Sequence, residues 1–175
     1  MYRSALSPSL LVAIALFTPV LLRGQQASSA CRLLQVGELE TAIGGKASTK
    51  PAGFVASPGM TLDECKIELS DSGTHHTVAI RIVSKLGMDG AQAITIRNAG
   101  TAREGQWKIA GARLEQAKVG NAICILTGRP NVSGNSTCSV PRGEGYVEVD
   151  VTGPVGALPS LTTVGALVQK AVSRL

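Results

Sequence analysis

Four cysteines carry the most clearly defined chemistry in this chain of 175 residues: Cys31, Cys65, Cys124 and Cys138. A zinc site or a redox-active pair needs thiols at short spacing, such as C-x-x-C. Successive cysteines here are 34, 59 and 14 residues apart. We therefore expect no metal site and no other cofactor.

An even number of cysteines indicates disulfides when a protein lies outside the cytoplasm. Four cysteines allow three pairings, and the sequence alone leaves the choice open. We favour Cys31 with Cys65, which would tie the N-terminal segment to a strand. The second pair is then Cys124 with Cys138, which would close a hairpin.

Two adjacent histidines, His75 and His76, have side chains that titrate near neutral pH when unperturbed. Neighbours on a strand point to opposite faces, so the two rings cannot hold one metal ion together. As a catalytic base, either histidine would need a nucleophile. Ser70 and Ser72 are near in sequence, but the chain has no G-x-S-x-G motif. A small secreted hydrolase using His75 or His76 is thus an alternative to a non-catalytic role.

Glu64 with Asp63, and Glu148 with Asp150, are candidates for acid and base pairs. The second pair alternates with Val147, Val149 and Val151. This period of two is typical of a strand with one wet face. We predict that the valines face the core and that both carboxylates face water, where solvated carboxylates without an acid and base role are the ordinary outcome.

The composition limits the kinds of partner. Aromatic residues make up 3% of the chain, and beyond residue 30 they are Phe54, Trp107 and Tyr146. So few rings argue against a stacking platform for sugars or nucleobases. The net charge of +5 comes from scattered single residues rather than a basic block, so we expect no nucleic acid partner. The three rings are candidate binding residues.

The first thirty residues have the pattern of a secretory signal peptide. Arg3 supplies a positive start, and the apolar stretch from Leu10 to Leu22 is too short to span a bilayer. We predict a signal peptide over 1–30 and a single exported domain over 31–175. That domain would be periplasmic or extracellular.

Cleavage is expected between Gly24 and Cys31. A cut before Cys31 places Ser28 at −3 and Ala30 at −1, and Ala27 offers an earlier cut. A cut directly before a cysteine also occurs in lipoproteins, whose cysteine carries a diacylglyceryl group. The position of Ser28 normally holds a large aliphatic residue in that motif, and acylation would leave three cysteines. Both facts favour a soluble product, bound to a membrane only if Cys31 is lipidated.

Local patterns predict an α+β domain, an antiparallel sheet of about five strands with N-terminal, middle and C-terminal helices packed on it. The middle helix is ambiguous, because Ile94-Thr95-Ile96 suits a strand equally well. The segment 46–60 is predicted to be a loop with at most one edge strand, and 127–137 is predicted to be rich in turns. The helices are predicted over 33–43, 89–102 and 161–175, and the strands over 65–70, 76–86, 107–114, 122–126, from 138 and from 146.

The opening Cys31-Arg32-Leu33-Leu34, the helix Glu38 to Gly44 and Cys65 on a strand resemble small exported bacterial proteins called domain of unknown function 3558. The turn Val119-Gly120-Asn121-Ala122 and the final helix extend the resemblance over nearly the whole exported part. The chain departs from the family in lacking an aromatic residue soon after Cys65 and an acidic residue at Asn121, and in adding Cys124 and Cys138. Such proteins are lipoproteins or secreted domains without an established catalytic site.

The resemblance implies a non-catalytic accessory or binding role in the cell envelope. The partner would be an unknown envelope component, a lipid-like ligand or a protein, with Trp107 and the segment 46–60 as contacts. Besides the hydrolase, an inhibitor of secreted enzymes is an alternative. It would present a rigid loop between Cys124 and Cys138.

Overall fold

The computed structural model describes residues 28–48, 51–56, 61–105, 112–129 and 132–175. These residues form three α-helices, two short 3-10 turns and eight strands. The helices are α1 (Val36–Ile43), α2 (Gly90–Gly105) and α3 (Leu161–Val172), and the 3-10 turns cover Ala30–Arg32 and Val155–Ala157. The strands are β1 (Lys46–Ala47), β2 (Ala52–Ala56), β3 (Thr61–Asp71), β4 (Thr74–Ser84), β5 (Arg113–Val119), β6 (Ala122–Gly128), β7 (Ser133–Pro141) and β8 (Tyr146–Pro154).

All eight strands belong to one antiparallel sheet in the order β1-β3-β4-β8-β7-β6-β5, with β2 also paired to β3. The chain reaches the far edge of the sheet through α2. It then returns strand by strand through a meander that brings β8 beside β4. Residues that are distant in sequence therefore meet in the middle of the sheet.

Two tight turns fix the register of the hairpins. Between β3 and β4, Asp71 pairs with Thr74, and the two turn residues Ser72 and Gly73 both have positive φ. Two positive φ values match the right-handed twist of the strands that such a turn joins. Gly120, also at positive φ, occupies the equivalent turn between β5 and β6.

The main core lies between one face of the sheet and α3, as the broad apolar stripe of that helix predicts. Val147, Val149 and Val151 are fully buried there, against Val164 and Val168 of α3. Ser160 caps the start of α3, since its hydroxyl accepts a hydrogen bond from the Thr163 amide at 3.2 Å. At the other end of the helix, Arg174 and Lys170 both form ion pairs with Glu38 of α1. Their hydrogen bonds hold the pKa of Glu38 well below its usual range.

Both favoured disulfides are confirmed. Cys31 is bonded to Cys65, which joins the first 3-10 turn to β3, and Cys124 is bonded to Cys138 across β6 and β7. Two disulfides are typical of an oxidising compartment, such as the periplasm or the extracellular space. Within the described ranges, no helix is both long and apolar enough to cross a membrane.

The α+β class, the three helices and the antiparallel sheet are confirmed, but the sheet has eight strands rather than about five. The segment 46–60 contains two strands, β1 and β2, because β3 has 11 residues and pairs with both along one edge. The prediction that 127–137 is rich in turns was wrong for 127–128 and 133–137, which belong to β6 and β7. Gly128, Gly134 and Asn135 pair in register with neighbouring strands, and residues 130–131 lie outside the described residues.

Candidate functional site

The second face of the sheet is polar and carries three cross-strand rows of side chains that could do chemistry. The first row is Glu64, Arg81, Glu148 and Ser139 on β3, β4, β8 and β7. The second row holds Asp150 and Thr137, and the third holds Thr152 and Asn135. Side chains directly opposite one another on neighbouring strands lie close enough to interact, so the sheet register builds this cluster.

Arg81 lies at the centre of the first row, between two carboxylates. Its Nε donates to Glu64 Oε2 at 2.5 Å, and its Nη1 donates to Glu148 Oε1 at 2.8 Å. Lys66 forms a more exposed ion pair with Glu64 at 3.2 Å. Burial alone would raise the pKa of Glu64, but hydrogen bonds from Arg81 and Lys66 outweigh it and lower that pKa.

Glu148 is 3% exposed and is bound by two guanidinium groups. One is Arg81, and the other is Arg97, which reaches down from α2 to Glu148 Oε2. The Ser139 hydroxyl donates to the same oxygen at 2.9 Å, and Arg97 Nη2 donates to Ser139 Oγ at 2.9 Å. Arg97 therefore joins α2 to the sheet through one buried carboxylate.

Asp150 is held mainly by neutral donors. Its carboxylate accepts hydrogen bonds from the Thr137 hydroxyl at 2.5 Å and from the Asn135 amide at 3.2 and 3.3 Å. The Thr152 hydroxyl lies at 3.4 Å, and Arg81 Nη1 lies 3.9 Å from Oδ2. Asp150 thus has a fixed orientation beside the charged row.

A cleft of about 400 Å³ opens above these rows, between the sheet and α2. Its lining contains two arginines, Arg81 and Arg97, and two carboxylates, Glu148 and Asp150, so the formal charges cancel. The other lining side chains, Thr101, Ile125, Thr127, Asn135 and Thr137, are neutral. A volume of this size lies within the range of small-molecule sites.

The cleft presents hydrogen-bond donors more than bare charge. The arginine side chains are 27% and 30% exposed, whereas that of Glu148 is 4% exposed. The carboxylates therefore lie beneath the guanidinium groups and orient them. The Arg97 guanidinium also lies over the ring of Tyr146, 5.2 Å from the centroid, which holds its plane further in place.

The prediction that Glu148 and Asp150 face water was wrong. Both are buried, because α2 covers this face and Arg81 and Arg97 satisfy the charges. The alternation of acidic residues with valines correctly predicted that the two sets lie on opposite faces of the strand. The acidic face is not exposed, however, because α2 covers it. A signal was present in Arg81, which occupies a polar position of the predicted strand 76–86. Sequence reasoning missed Arg81 and Arg97, and it paired Glu64 only with Asp63.

The two histidines lie on opposite faces, as predicted. His75 is exposed, and its Nδ1 lies 2.8 Å from the hydroxyl of Ser70 directly across the hairpin. His76 is 6% exposed, its Nδ1 has no hydrogen-bond partner among the described residues, and burial lowers its pKa. Gly153 gives it room, since a Cβ there would lie 2.3 Å from Nδ1. A hydrogen-bonded serine and histidine therefore exist, but at the surface.

The aromatic candidates are separated from one another. Tyr146 lies beside the cleft through its contact with Arg97. Phe54 lies on β2, and its side chain is outside the described part of the structure. Trp107 lies outside the described residues altogether.

A groove of about 410 Å³ between α1 and α3 lies on the other side of the molecule, lined by small apolar side chains such as Ala42 and Ala166, with Glu38 and Lys170. Nothing in its described lining is a buried polar group, so it offers less chemistry than the cleft. In the ranges given above, no group of three or more His, Cys, Asp or Glu side chains could hold a metal ion.

Comparison with known proteins gives no relative: no family model, curated protein or solved structure matches this chain. Its function is therefore inferred from the geometry of the cleft.

Proposed function

We propose that this chain is an exported, non-catalytic accessory protein of the cell envelope. Its ligand is a neutral polar molecule rich in hydroxyl and amide groups, which binds in the cleft between α2 and the sheet. The observation that carries this proposal is the set of fixed and mutually neutralised charged groups that line the cleft. Export is supported by the two disulfides and by the signal-like start of the sequence.

The chemistry of the lining favours a neutral ligand. Arg81 Nη2 makes no hydrogen bond with a described residue, so its N–H groups are free to donate to a carbonyl or hydroxyl oxygen. The buried carboxylates beneath oppose an anion, and the guanidinium groups oppose a cation. A hydrocarbon chain would leave these polar groups without water or partners. Binding by directed hydrogen bonds also agrees with the scarcity of aromatic rings.

The same lining is unsuited to acid and base catalysis. A general acid must hold a proton at the working pH, so its pKa is raised at catalytic sites. Glu148 in the lining is instead bound by two cations, and the pKa of Glu64, which shares Arg81 with it outside the lining, is lowered. These groups are arranged to stay charged and to hold a shape. The resemblance to the domain of unknown function 3558 stays a prediction that agrees with such a role.

A thermal-shift assay on the oxidised protein tests the ligand class, because a compound that binds the folded state raises Tm. The neutral probes are N-acetylglucosamine and N-acetylalanine methylamide, and the charged probes are phosphate and choline. We expect a neutral probe to raise Tm in the wild type and not in Thr127→Val, which removes one hydroxyl from the cleft. The matched control, Thr41→Val in the α1 and α3 groove, should respond as the wild type does. Stabilisation by phosphate or choline alone would contradict the proposal.

A second candidate function, a small secreted hydrolase, is favoured by the 2.8 Å contact between Ser70 Oγ and His75 Nδ1. This is the distance that a nucleophile and its base require. The structure shows no third group holding the other nitrogen of His75 among the described residues. Hydrolysis of p-nitrophenyl acetate that is abolished in Ser70→Ala but kept in Ser72→Ala would establish it. Equal rates in both variants and in the wild type would remove it.

A further inference from the structure

The residues just before Cys31 are part of the folded domain. Ala30 is fully buried and Ser28 is 4% exposed. Ser28 packs so closely on β2 that a Cβ at Gly53 would lie 2.3 Å from the Cβ of Ser28. Its hydroxyl also contacts the backbone oxygen of Glu64 at 3.2 Å. Three residues of the predicted leader therefore occupy a built site against the paired strands β2 and β3.

Residues 28–30 supply hydrogen bonds to the carboxylate of Asp63 on β3. Asp63 is 9% exposed. Its carboxylate accepts hydrogen bonds from the Ser28 and Ser29 hydroxyls. It also accepts from the backbone amides of Ser29 at 2.8 Å and Ala30 at 3.3 Å. Removing residues up to Ala30 would remove all four donors. A buried carboxylate without donors destabilises the folded state strongly.

The sulfur of Cys31 is not available for acylation, because it is bonded to Cys65. Acylation would form a thioether between that sulfur and a diacylglyceryl carbon, with loss of the thiol proton. A sulfur that is already in a disulfide has no thiol proton to lose, so the two fates exclude each other.

From this geometry we infer that the leader is removed on the N-terminal side of Ser28, so that Ser28, Ser29 and Ala30 stay in the mature protein and Cys31 carries no lipid. The inference rests on the export that is part of the proposed function. It replaces the cut before Cys31 that the small residues at Ser28 and Ala30 favour.

The test uses the full 175-residue chain, expressed in a bacterium with an export pathway and recovered from outside the cytoplasm. Intact-mass analysis with and without reductant should give a first residue at or before Ser28, no acyl mass, and a gain of four hydrogens on reduction. A first residue at Ser29 to Cys31, or an added diacylglyceryl mass, would overturn the inference while leaving export in place. Recovery of the protein only from the cytoplasm with its leader intact would overturn both.

A second measurement on the same exported protein does not depend on identifying its first residue by mass. Asp63→Ala should lower Tm by several degrees, since it leaves the four donors from residues 28–30 without their acceptor, whereas Asp71→Ala at the exposed end of β3 should leave Tm within about 1 °C. If those residues had been removed, Asp63→Ala would delete an unpaired buried charge, and Tm would stay the same or rise. That second result contradicts the inference.

Discussion

Glu148 shows how a single side chain can organise the cleft. Its carboxylate accepts hydrogen bonds from the guanidinium groups of Arg81 on a neighbouring strand and of Arg97 on α2, and from the Ser139 hydroxyl. A buried ion pair of this kind adds little net stability compared with an apolar pair, but breaking it is costly. We therefore infer that these ion pairs serve to fix the positions of Arg81 and Arg97.

Glu148→Gln keeps the shape of the side chain and removes its charge. We expect the free energy of unfolding to fall by about 2 kcal/mol, less than for a fully buried pair, because both guanidinium groups are partly exposed. Urea denaturation at pH 7 measures the change. The matched control is Glu115→Gln, whose ion pair with Arg113 is exposed and should contribute less than about 0.5 kcal/mol. Equal losses in the two variants would show that Glu148 has no special role.

The burial of His76 predicts how the stability of the folded protein depends on pH. Burial lowers its pKa below the ordinary value of 6.5, so the unfolded chain takes up a proton at a higher pH than the folded protein does. Stability is therefore complete above about pH 6.5 and falls as the pH drops below that value. Urea unfolding at pH 7.5 and 5.5 should show this loss in the wild type and in the control His75→Gln. The loss should be smaller in His76→Gln, and an unchanged loss there would rule out His76 as its source.

At the scale of elements, α2 is held differently from α3. Six residues of α3 are buried in the core, whereas Ile94 and Asn98 are the buried side chains among those described in α2. Much of the attachment of α2 therefore comes from the contacts of Arg97 with Glu148 and Ser139.

Arg97→Ala should loosen α2 without unfolding the sheet. Hydrogen exchange of the α2 amides should become about tenfold faster, as expected for the loss of one charged hydrogen-bonding group, while α3 keeps its protection. Arg103→Ala, an exposed position on the same helix, is the control and should change neither helix. Faster exchange in α3 as well would mean that Arg97 supports the whole fold rather than α2.

Local signals explain which elements could be predicted. The α1 and α3 helices and the β3 and β4 hairpin follow from spacing, a serine cap and a Ser-Gly turn, all within a few residues of one another. The cleft could not be predicted in this way, because Arg81 and Glu148 are 67 residues apart and meet only when β8 returns beside β4. For the same reason β1 and β2 were underestimated, since their strand character depends on the long β3.

At the scale of the whole molecule, the two disulfides close loops of different length. The sequence separations are 34 residues for Cys31 and Cys65 and 14 for Cys124 and Cys138. In the chain-entropy model these contribute about 4 and about 3 kcal/mol. Replacing each pair by alanine and measuring urea unfolding should therefore show the larger loss for the first pair. A larger loss for the second pair would mean that local strand pairing, not loop closure, dominates.

The central claim is that the cleft between α2 and the sheet binds a neutral polar ligand. The most direct test is a titration of the ¹⁵N-labelled oxidised protein with N-acetylglucosamine and N-acetylalanine methylamide, followed by amide chemical shifts. We predict saturable shifts in at least one titration, clustered at Arg81, Arg97, Thr127, Thr137 and Asp150, and none in the groove between α1 and α3. Saturable shifts confined to that groove, or no saturable shift in the cleft with either compound, would contradict the claim.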